Sequence, residues 1–289
     1  YKRQDDSIAG FSQTHLNGTG VPDLGDIRML PFNQNLQGER FFCRYERETQ
    51  VAMPGYYSVK LADMNIDVEL TATERTAMHR YTFNQPGEAN LLLDLQNGLV
   101  FDSKNVRYRV LEGEVEMLDN KTIAGYNRVR GWVARYFYYM IVFDRPYTVK
   151  KELPQEEGEK AKRFILEFDL KEGESVQVKV ALSTVGIEGA KVALDKENPG
   201  WNFESIKAET NGKWNDMLSL AEVEGTEEEK MNFYTSMYHL FIQPTNIADI
   251  DGKYRGANDS IFVSSTGYYY STFSLWDTYS CLLYTSDAA

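Results

Sequence analysis

The chain has 289 residues, 42% hydrophobic and 13% aromatic, enough to bury a sizeable core in one large domain or two ordinary ones. Its 43 acidic against 31 basic residues give a net charge of −12, which argues against a nucleic-acid partner, because phosphate binding needs clustered Lys and Arg; a neutral or cationic ligand fits better, and solubility alone is the plain alternative. No run approaches the roughly 18 apolar residues of a membrane span, and Cys43, Cys281 and the scattered His15, His79 and His239 match neither a disulfide framework nor a zinc site.

The opening "YKRQDD" carries no apolar signal region, so the sequence reads as cytosolic or as a segment starting after its signal. "GFSQTHLNGTG" follows, Gly10 to Gly20, with three glycines among polar side chains and only Phe11 and Leu16 available to anchor it. It has neither helical nor strand periodicity and is predicted to be a loop. Either it connects elements, with His15 as a buried hydrogen-bond bridge, or it grips a ligand.

From about Arg40 to Thr184 strand follows strand. "NIDVELTAT" places Ile66, Val68, Leu70 and Ala72 on one face, "RFILEFDL" does the same with Phe164, Leu166, Phe168 and Leu170, and "SVQVKVAL" with Val176, Val178, Val180 and Leu182. The charged "KEGES" between the last two predicts a hairpin around Gly173. "RYFYYMIVFD" is apolar throughout, as a central strand covered on both faces would be. So many strands without long intervening helices predict a mainly β fold built on a large antiparallel sandwich.

The pattern changes after Val185. "IEGAKVALDKE" predicts a short helix, and "WNFESIKAETNGKWNDMLSL" brings Trp201, Phe203, Ile206, Trp214, Met217 and Leu218 to helical spacing, weakened locally by Gly212. In "TEEEKMNFYTSMYHLFIQP", Thr226 and Glu229 form a capping-box pair, three glutamates suit the positive end of the helix dipole, and Pro244 closes the segment. Met231, Tyr234, Met237, Tyr238 and Phe241 make an apolar stripe, read as helix core and not as a ligand box. A second domain is expected to begin near residue 226.

"ADIDGKYRG" holds Asp249 and Asp251 at part of a calcium-loop spacing, but the third acid and distal Glu are missing, so a tight turn at Asp251–Gly252 is the expectation. In "STFSLWDTY", Trp276 beside Asp277 offers an indole face for sugar C–H groups and a carboxylate for hydroxyls; the same pair also serves as a packing corner.

Several of these stretches together resemble glycoside hydrolase family 92, the calcium-dependent exo-α-mannosidases. The resemblance runs through "GFSQTHLNGTGVPDLGDIRMLP", "AMPGYYSVKLADMNIDVELTATERTAMHRYTF", "GYNRVRGWVARYFYYMIVFDRP", "VALSTVGIEGAKVAL", "PGWNFESIKAETNGKWNDMLS" and "FYTSMYHLFIQPTNIADIDGKYRG", and ends at "TFSLWDTY". It implies a β-sandwich over residues 1–200, linker helices over 201–225 and the start of an (α/α)6 catalytic barrel over 226–279. It implies an exo-acting, inverting enzyme that removes terminal mannose from α-mannosides such as N-glycans or mannans, at a site between the two domains. His15 and Thr19 would approach the mannose from the sandwich, and Trp276 and Asp277 from the barrel. Calcium (Ca2+) would belong to the full-length enzyme, with its ligands and the catalytic acid and base mostly in barrel segments beyond these residues. No catalytic or metal-ligating residue is assigned within the chain.

Family members are longer, and after Tyr279 "SCLLYTSDAA" departs from their pattern and reads like translated adapter sequence. Residues 280–289 are therefore expected to be a non-native tail on a truncated metagenomic gene product, inactive by itself. The resemblance places the bacterial enzyme in the periplasm, on the cell surface or outside the cell. The competing readings are a non-catalytic carbohydrate-binding sandwich and an interaction scaffold; the helix over 226–243 separates the first from an enzyme, since a free-standing module has no use for the start of a barrel.

Overall fold

The computed structural model describes residues 7–14, 23–33, 41–99, 109–131, 134–242 and 244–271. Thirteen strands come first: β1 (Ser7–Ile8), β2 (Arg28–Phe32), β3 (Cys43–Met53), β4 (Tyr56–Leu61), β5 (Ile66–Ala72), β6 (Thr76–Phe83), β7 (Ala89–Asp94), β8 (Val110–Met117), β9 (Thr122–Val129), β10 (Arg135–Phe143), β11 (Tyr147–Glu152), β12 (Arg163–Phe168) and β13 (Ser175–Ser183). They form a nine-stranded sheet in the order β1-β3-β4-β5-β6-β13-β10-β9-β8 and a four-stranded sheet in the order β11-β12-β7-β2. Neighbouring strands pair antiparallel.

The two sheets stack because period-2 alternation gives each an apolar face. Ile66 and Val68, Tyr81 and Phe83, Tyr139, Ile141 and Phe143, and Val176, Val178 and Val180 meet Leu91, Leu93, Phe164, Leu166 and Phe168 in one core. Each such side chain, fully buried, contributes about 1.5–3 kcal/mol. The expected inward faces at 66–72 and 164–170 are thus present, with Leu70 and Leu170 at the core margin and Ala72 exposed. Pro31, which has no N–H to donate, sits in β2 at the edge of the smaller sheet, where a strand interior tolerates proline.

One local expectation fails. "KEGES" is not a hairpin: β12 pairs with β7 and β11, and β13 with β6 and β10, so the turn at Gly173 (φ +80°) carries the chain from one sheet to the other. Alternation sets which face of a strand is buried, not which sheet it joins.

β10 is covered on both faces, as its composition predicts. Phe137, Tyr139, Ile141 and Phe143 face the sandwich core, while Met140 lies under the first helix, α1 (Ile187–Glu197), whose Ala190, Ala193 and Leu194 pack on Ala124, Met140 and Ala181. The second helix, α2 (Phe203–Leu218), runs through Gly212 and sets Phe203 and Ile206 on Met78 of the same outer sheet face. Asn202 caps it, its side chain accepting from the Ser205 N–H at 3.1 Å. The third helix, α3 (Glu227–Phe241), begins with the expected reciprocal box: Thr226 accepts from Glu229 N, and the Glu229 carboxylate accepts from Thr226 N. None of its residues is buried, and Met231 is 64% exposed; Trp214 of α2 meets Tyr238 at a ring separation of 4.7 Å. No helix among the described residues is long and apolar enough to cross a membrane.

The segment after α3 folds back as a hairpin of β14 (Lys253–Arg255) and β15 (Ile261–Val263). The turn before it is the one expected: Gly252, at φ +79°, donates to the Asp249 carbonyl at 2.9 Å. Arg255 fastens this hairpin to the sandwich, donating to Thr184 O at 2.8 Å and lying 4.6 Å over the Tyr136 ring. Asp249 accepts from Ser183 Oγ at 2.8 Å, and that oxygen in turn accepts the N–H groups of Val185 and Gly186 ahead of α1. Gly189 leaves the room for this: a Cβ there would lie 2.1 Å from Asp249 Oδ2.

Burial pushes the Asp249 carboxyl up to about 6, with Asp251 adding to the shift and Ser183, Arg75 and Lys253 opposing it. The folded state therefore holds a proton that the unfolded chain, titrating at the ordinary 3.8, releases. This contribution to stability is complete below about pH 4 and is lost as the pH rises through about 6. Asp249→Asn is expected to raise Tm relative to wild type at pH 8 and to bring little gain at pH 4. Thermal scans at both pH values check this; the same difference at both would refute it.

Candidate functional site

The segment carrying the Gly10–Gly20 loop is held at both ends by short-range hydrogen bonds. Gly25 N donates to Thr14 O at 3.0 Å, Asp26 N donates to Thr14 Oγ1 at 3.2 Å, and Ser12 Oγ donates to Asp26 O. Phe11 pairs with Met29 through both backbone groups, at 2.8 and 2.9 Å, which ties the entry of the loop to β2.

The exit is strained. Leu24 (φ +61°), Gly25 (φ +68°) and Ile27 (φ +58°) all adopt left-handed backbone, which is sterically costly for a leucine and more so for a β-branched isoleucine. Such positions persist only where the surroundings over-determine them, and they concentrate at ligand-holding sites. Here the surroundings are charged and buried. Asp26 accepts from Arg109 Nη2 through Oδ1 and from Arg135 Nη2 through Oδ2 at 2.9 Å. Arg135 reaches Asp23 with its other nitrogen at 3.0 Å, and Arg109 also donates to Leu24 O at 2.7 Å. One residue beyond the strained stretch, Arg28 pairs with Asp94 at 3.3 Å across the β2–β7 register. Burial opposes the Arg135 charge, and Asp26 and Asp23 together outweigh it, so its pKa stands above the ordinary value.

This frame gathers residues far apart in sequence. Leu99 N donates to Gly25 O at 2.9 Å, and Arg109 binds Leu24 and Asp26, so the residues flanking 100–108 meet those flanking 15–22. Gly131 abuts the Asp23 carboxylate and Arg135 binds it, which brings in the residues flanking 132–133. The four side chains expected to hold sugar, His15, Thr19, Trp276 and Asp277, lie outside the described residues, as does the tail at 280–289. The structure thus gives the frame at the root of the loop.

Asp23, Asp26, Arg109 and Arg135 were not expected from the sequence. The one legible signal is that Asp26 and Arg28 interrupt the apolar run "LGDIRMLPF", where a charge needs a buried partner. Among the described residues no group of three or more His, Cys, Asp or Glu is placed to hold a metal. Asp23 and Asp26 are taken up by guanidinium groups, and Asp251 by Lys253 at 2.6 Å, so these carboxylates do not fit a calcium site.

The sequence profile of the glycosyl hydrolase family 92 N-terminal domain matches residues 1–183, and that of the family 92 catalytic domain matches residues 189–285. Among solved structures, a family GH92 α-mannosidase from Bacteroides thetaiotaomicron is 30% identical, with a TM-score of 0.86 over 96% of this chain and 40% of its own. The same enzyme in complex with mannoimidazole gives 30% identity and a TM-score of 0.86 over 96% of this chain and 39% of its own. A family GH92 inverting mannosidase from the same organism, 21% identical, shares the fold with a TM-score of 0.79 over 96% of this chain and 38% of its own. The chain spans about 40% of the length of these structures. No curated protein sequence matches it.

Proposed function

We propose, from the premise that this chain belongs to glycosyl hydrolase family 92, that it is the N-terminal part of an exo-acting, inverting α-mannosidase that removes terminal mannose from glycans such as N-glycans or mannans. Residues 1–200 are its sandwich domain, 201–225 its linking helices and 226–279 the start of its helical barrel, and the enzyme works in the periplasm, at the cell surface or outside the cell. The observation that carries this reading is the ion-paired frame of Asp23, Asp26, Arg109 and Arg135, which holds a strained backbone at the root of the loop bearing His15 and Thr19.

Inversion requires a general acid on the glycosidic oxygen and a general base on a water, with their carboxyl groups about 6.5–9.5 Å apart. This chain contributes the hold on the sugar. His15 and Thr19 hydrogen-bond mannose hydroxyls from the sandwich side, the Trp276 indole stacks on the C–H face, and the Asp277 carboxylate accepts from hydroxyls. Calcium in the complete enzyme would polarise and position hydroxyl oxygens, with its ligands mostly in barrel segments beyond these residues. The reading of a free-standing carbohydrate-binding module leaves α3 without a purpose, since none of its residues is buried among the described residues.

In the complete enzyme, Asp277→Ala removes a charge-assisted hydrogen bond worth about 1.5–3 kcal/mol. The expected loss in kcat/KM is roughly ten- to over a hundredfold on an aryl α-mannoside in the presence of calcium. Proton NMR of the first product formed tests the stereochemistry: β-mannose is expected. Wild-type kcat/KM in the variant would sink the Asp277 role, and α-mannose as first product would sink inversion.

A further inference from the structure

A buried polar chain runs from β6 to Gln13, in the described entry of the Gly10–Gly20 segment. The Gln13 amide lies 3.2 Å from His79 Nε2, and His79 Nδ1 lies 2.6 Å from the Tyr81 hydroxyl. His79 and Tyr81 alternate onto the inner face of β6, 2% and 0% exposed, ring edge to ring face. Burial pushes the His79 imidazole down to about 3, so it is neutral, and pushes Tyr81 well above its ordinary value, so the hydroxyl keeps its proton.

A neutral imidazole has one N–H and one lone pair, so the chain of bonds must run in one direction. If Nδ1 carries the hydrogen, His79 donates to Tyr81 and accepts from the Gln13 NH2. The Tyr81 proton then has no acceptor among the described residues, and Gln13 Oε1 stays buried without a partner. If Nε2 carries it, Tyr81 O–H donates to Nδ1, and Nε2–H donates to Gln13 Oε1 with the amide turned over. Amide orientation is fixed by the network, and this direction pairs both ring nitrogens, the Tyr81 proton and the Gln13 carbonyl. It leaves the Gln13 NH2 as the one group of the chain without a partner among the described residues, buried where Oε1 would otherwise lie.

We propose that Tyr81, His79 and Gln13 form a directional hydrogen-bond relay that positions the start of the sugar-holding loop, making all three positioning residues for the reaction. The proposal rests on the sugar-holding role given to His15 and Thr19. Gln13 stands two residues ahead of His15 and one ahead of Thr14, whose carbonyl and hydroxyl tie the loop entry to its exit. An all-apolar contact would fill the same space without fixing a direction; a buried chain of hydrogen bonds fixes one orientation.

The test uses the complete enzyme labelled with ¹⁵N-histidine, the His79 signal being assigned by its loss in His79→Gln. The relay requires a neutral His79 protonated at Nε2 from pH 5 to 8, and Tyr81→Phe is expected to let the Nδ1-protonated tautomer appear. In kinetics, Gln13→Met and Tyr81→Phe are each expected to lower kcat/KM about five- to tenfold, the loss of one hydrogen bond, with most of it in KM. Phe83→Leu, a core change on the same strand, is expected to lower Tm and leave KM unchanged. An Nδ1-protonated His79 in the wild type, a wild-type KM in Gln13→Met, or an equal rise of KM in Phe83→Leu overturns the relay. An enzyme that cleaves no α-mannoside overturns the functional reading instead, and the tautomer spectrum then decides the relay by itself.

Discussion

Asp26→Ala is expected to cost the complete enzyme about 3–5 kcal/mol of sandwich stability, the range for removing one partner of a buried ion pair. Both oxygens of Asp26 are engaged, one by Arg109 and one by Arg135, and the Asp26 and Arg109 side chains are only 3% and 6% exposed. Alanine leaves Arg109 with the Leu24 carbonyl and Arg135 with Asp23, so two cations remain with one carboxylate where there were two. The change also releases the force that holds Leu24 and Ile27 in left-handed backbone, where strain of about 1–3 kcal/mol per residue needs a restraint. The loss should appear as a lower urea midpoint with little change in the slope m. Asp26→Asn, which keeps the shape and part of the hydrogen bonding, should fall between wild type and alanine. A midpoint for Asp26→Ala indistinguishable from wild type would mean that the frame holds nothing.

The second large effect concerns catalysis. Residues 1–289 expressed alone are expected to give no detectable hydrolysis of an aryl α-mannoside with calcium, while the complete enzyme turns it over. General acid–base assistance alone is worth roughly 10²–10⁴-fold, and this chain holds sugar without supplying that pair in the proposed reading. The same preparation should bind a hydrophobic dye, because Met231 is 64% and Leu220 71% exposed beside the other apolar groups of α3 and its approach. Turnover above background by residues 1–289 would show that the acid and base lie within them.

The parts of this architecture that were legible in the sequence are those governed by local periodicity. Ile66 and Val68, or Phe164, Leu166 and Phe168, alternate because one sheet face is buried, and Thr226 with Glu229 announces a helix start three residues apart. Sheet membership was not legible, since the turn at Gly173 looks the same whether the next strand pairs with the last or crosses to another layer. Nor was the frame of the site: Asp26 meets Arg109 and Arg135 across 83 and 109 positions of chain, a distance at which no spacing rule operates. A charge inside an apolar run tells that a partner exists and not where it is. His15, Thr19, Trp276 and Asp277 rest on the proposed function, being outside the described residues.

β13 sits between β6 and β10 in the large sheet although every other strand of that sheet precedes it in the chain. Until Ser175–Ser183 has been synthesised, the sheet exists only as two ribbons, β1-β3-β4-β5-β6 and β10-β9-β8, each ending in an unpaired edge. Those edges carry Tyr81 and Phe83 on one side and Tyr139, Ile141 and Phe143 on the other, apolar strands of the kind that template aggregation. A nascent chain must keep both open on the ribosome while the intervening residues emerge, at about 5–20 residues per second, and closing them requires long-range pairings that form slowly. Chains truncated short of Ser183 should therefore go to inclusion bodies however well their earlier strands are formed, and the tolerable C-terminal boundary of the sandwich is set by an interior strand of its larger sheet.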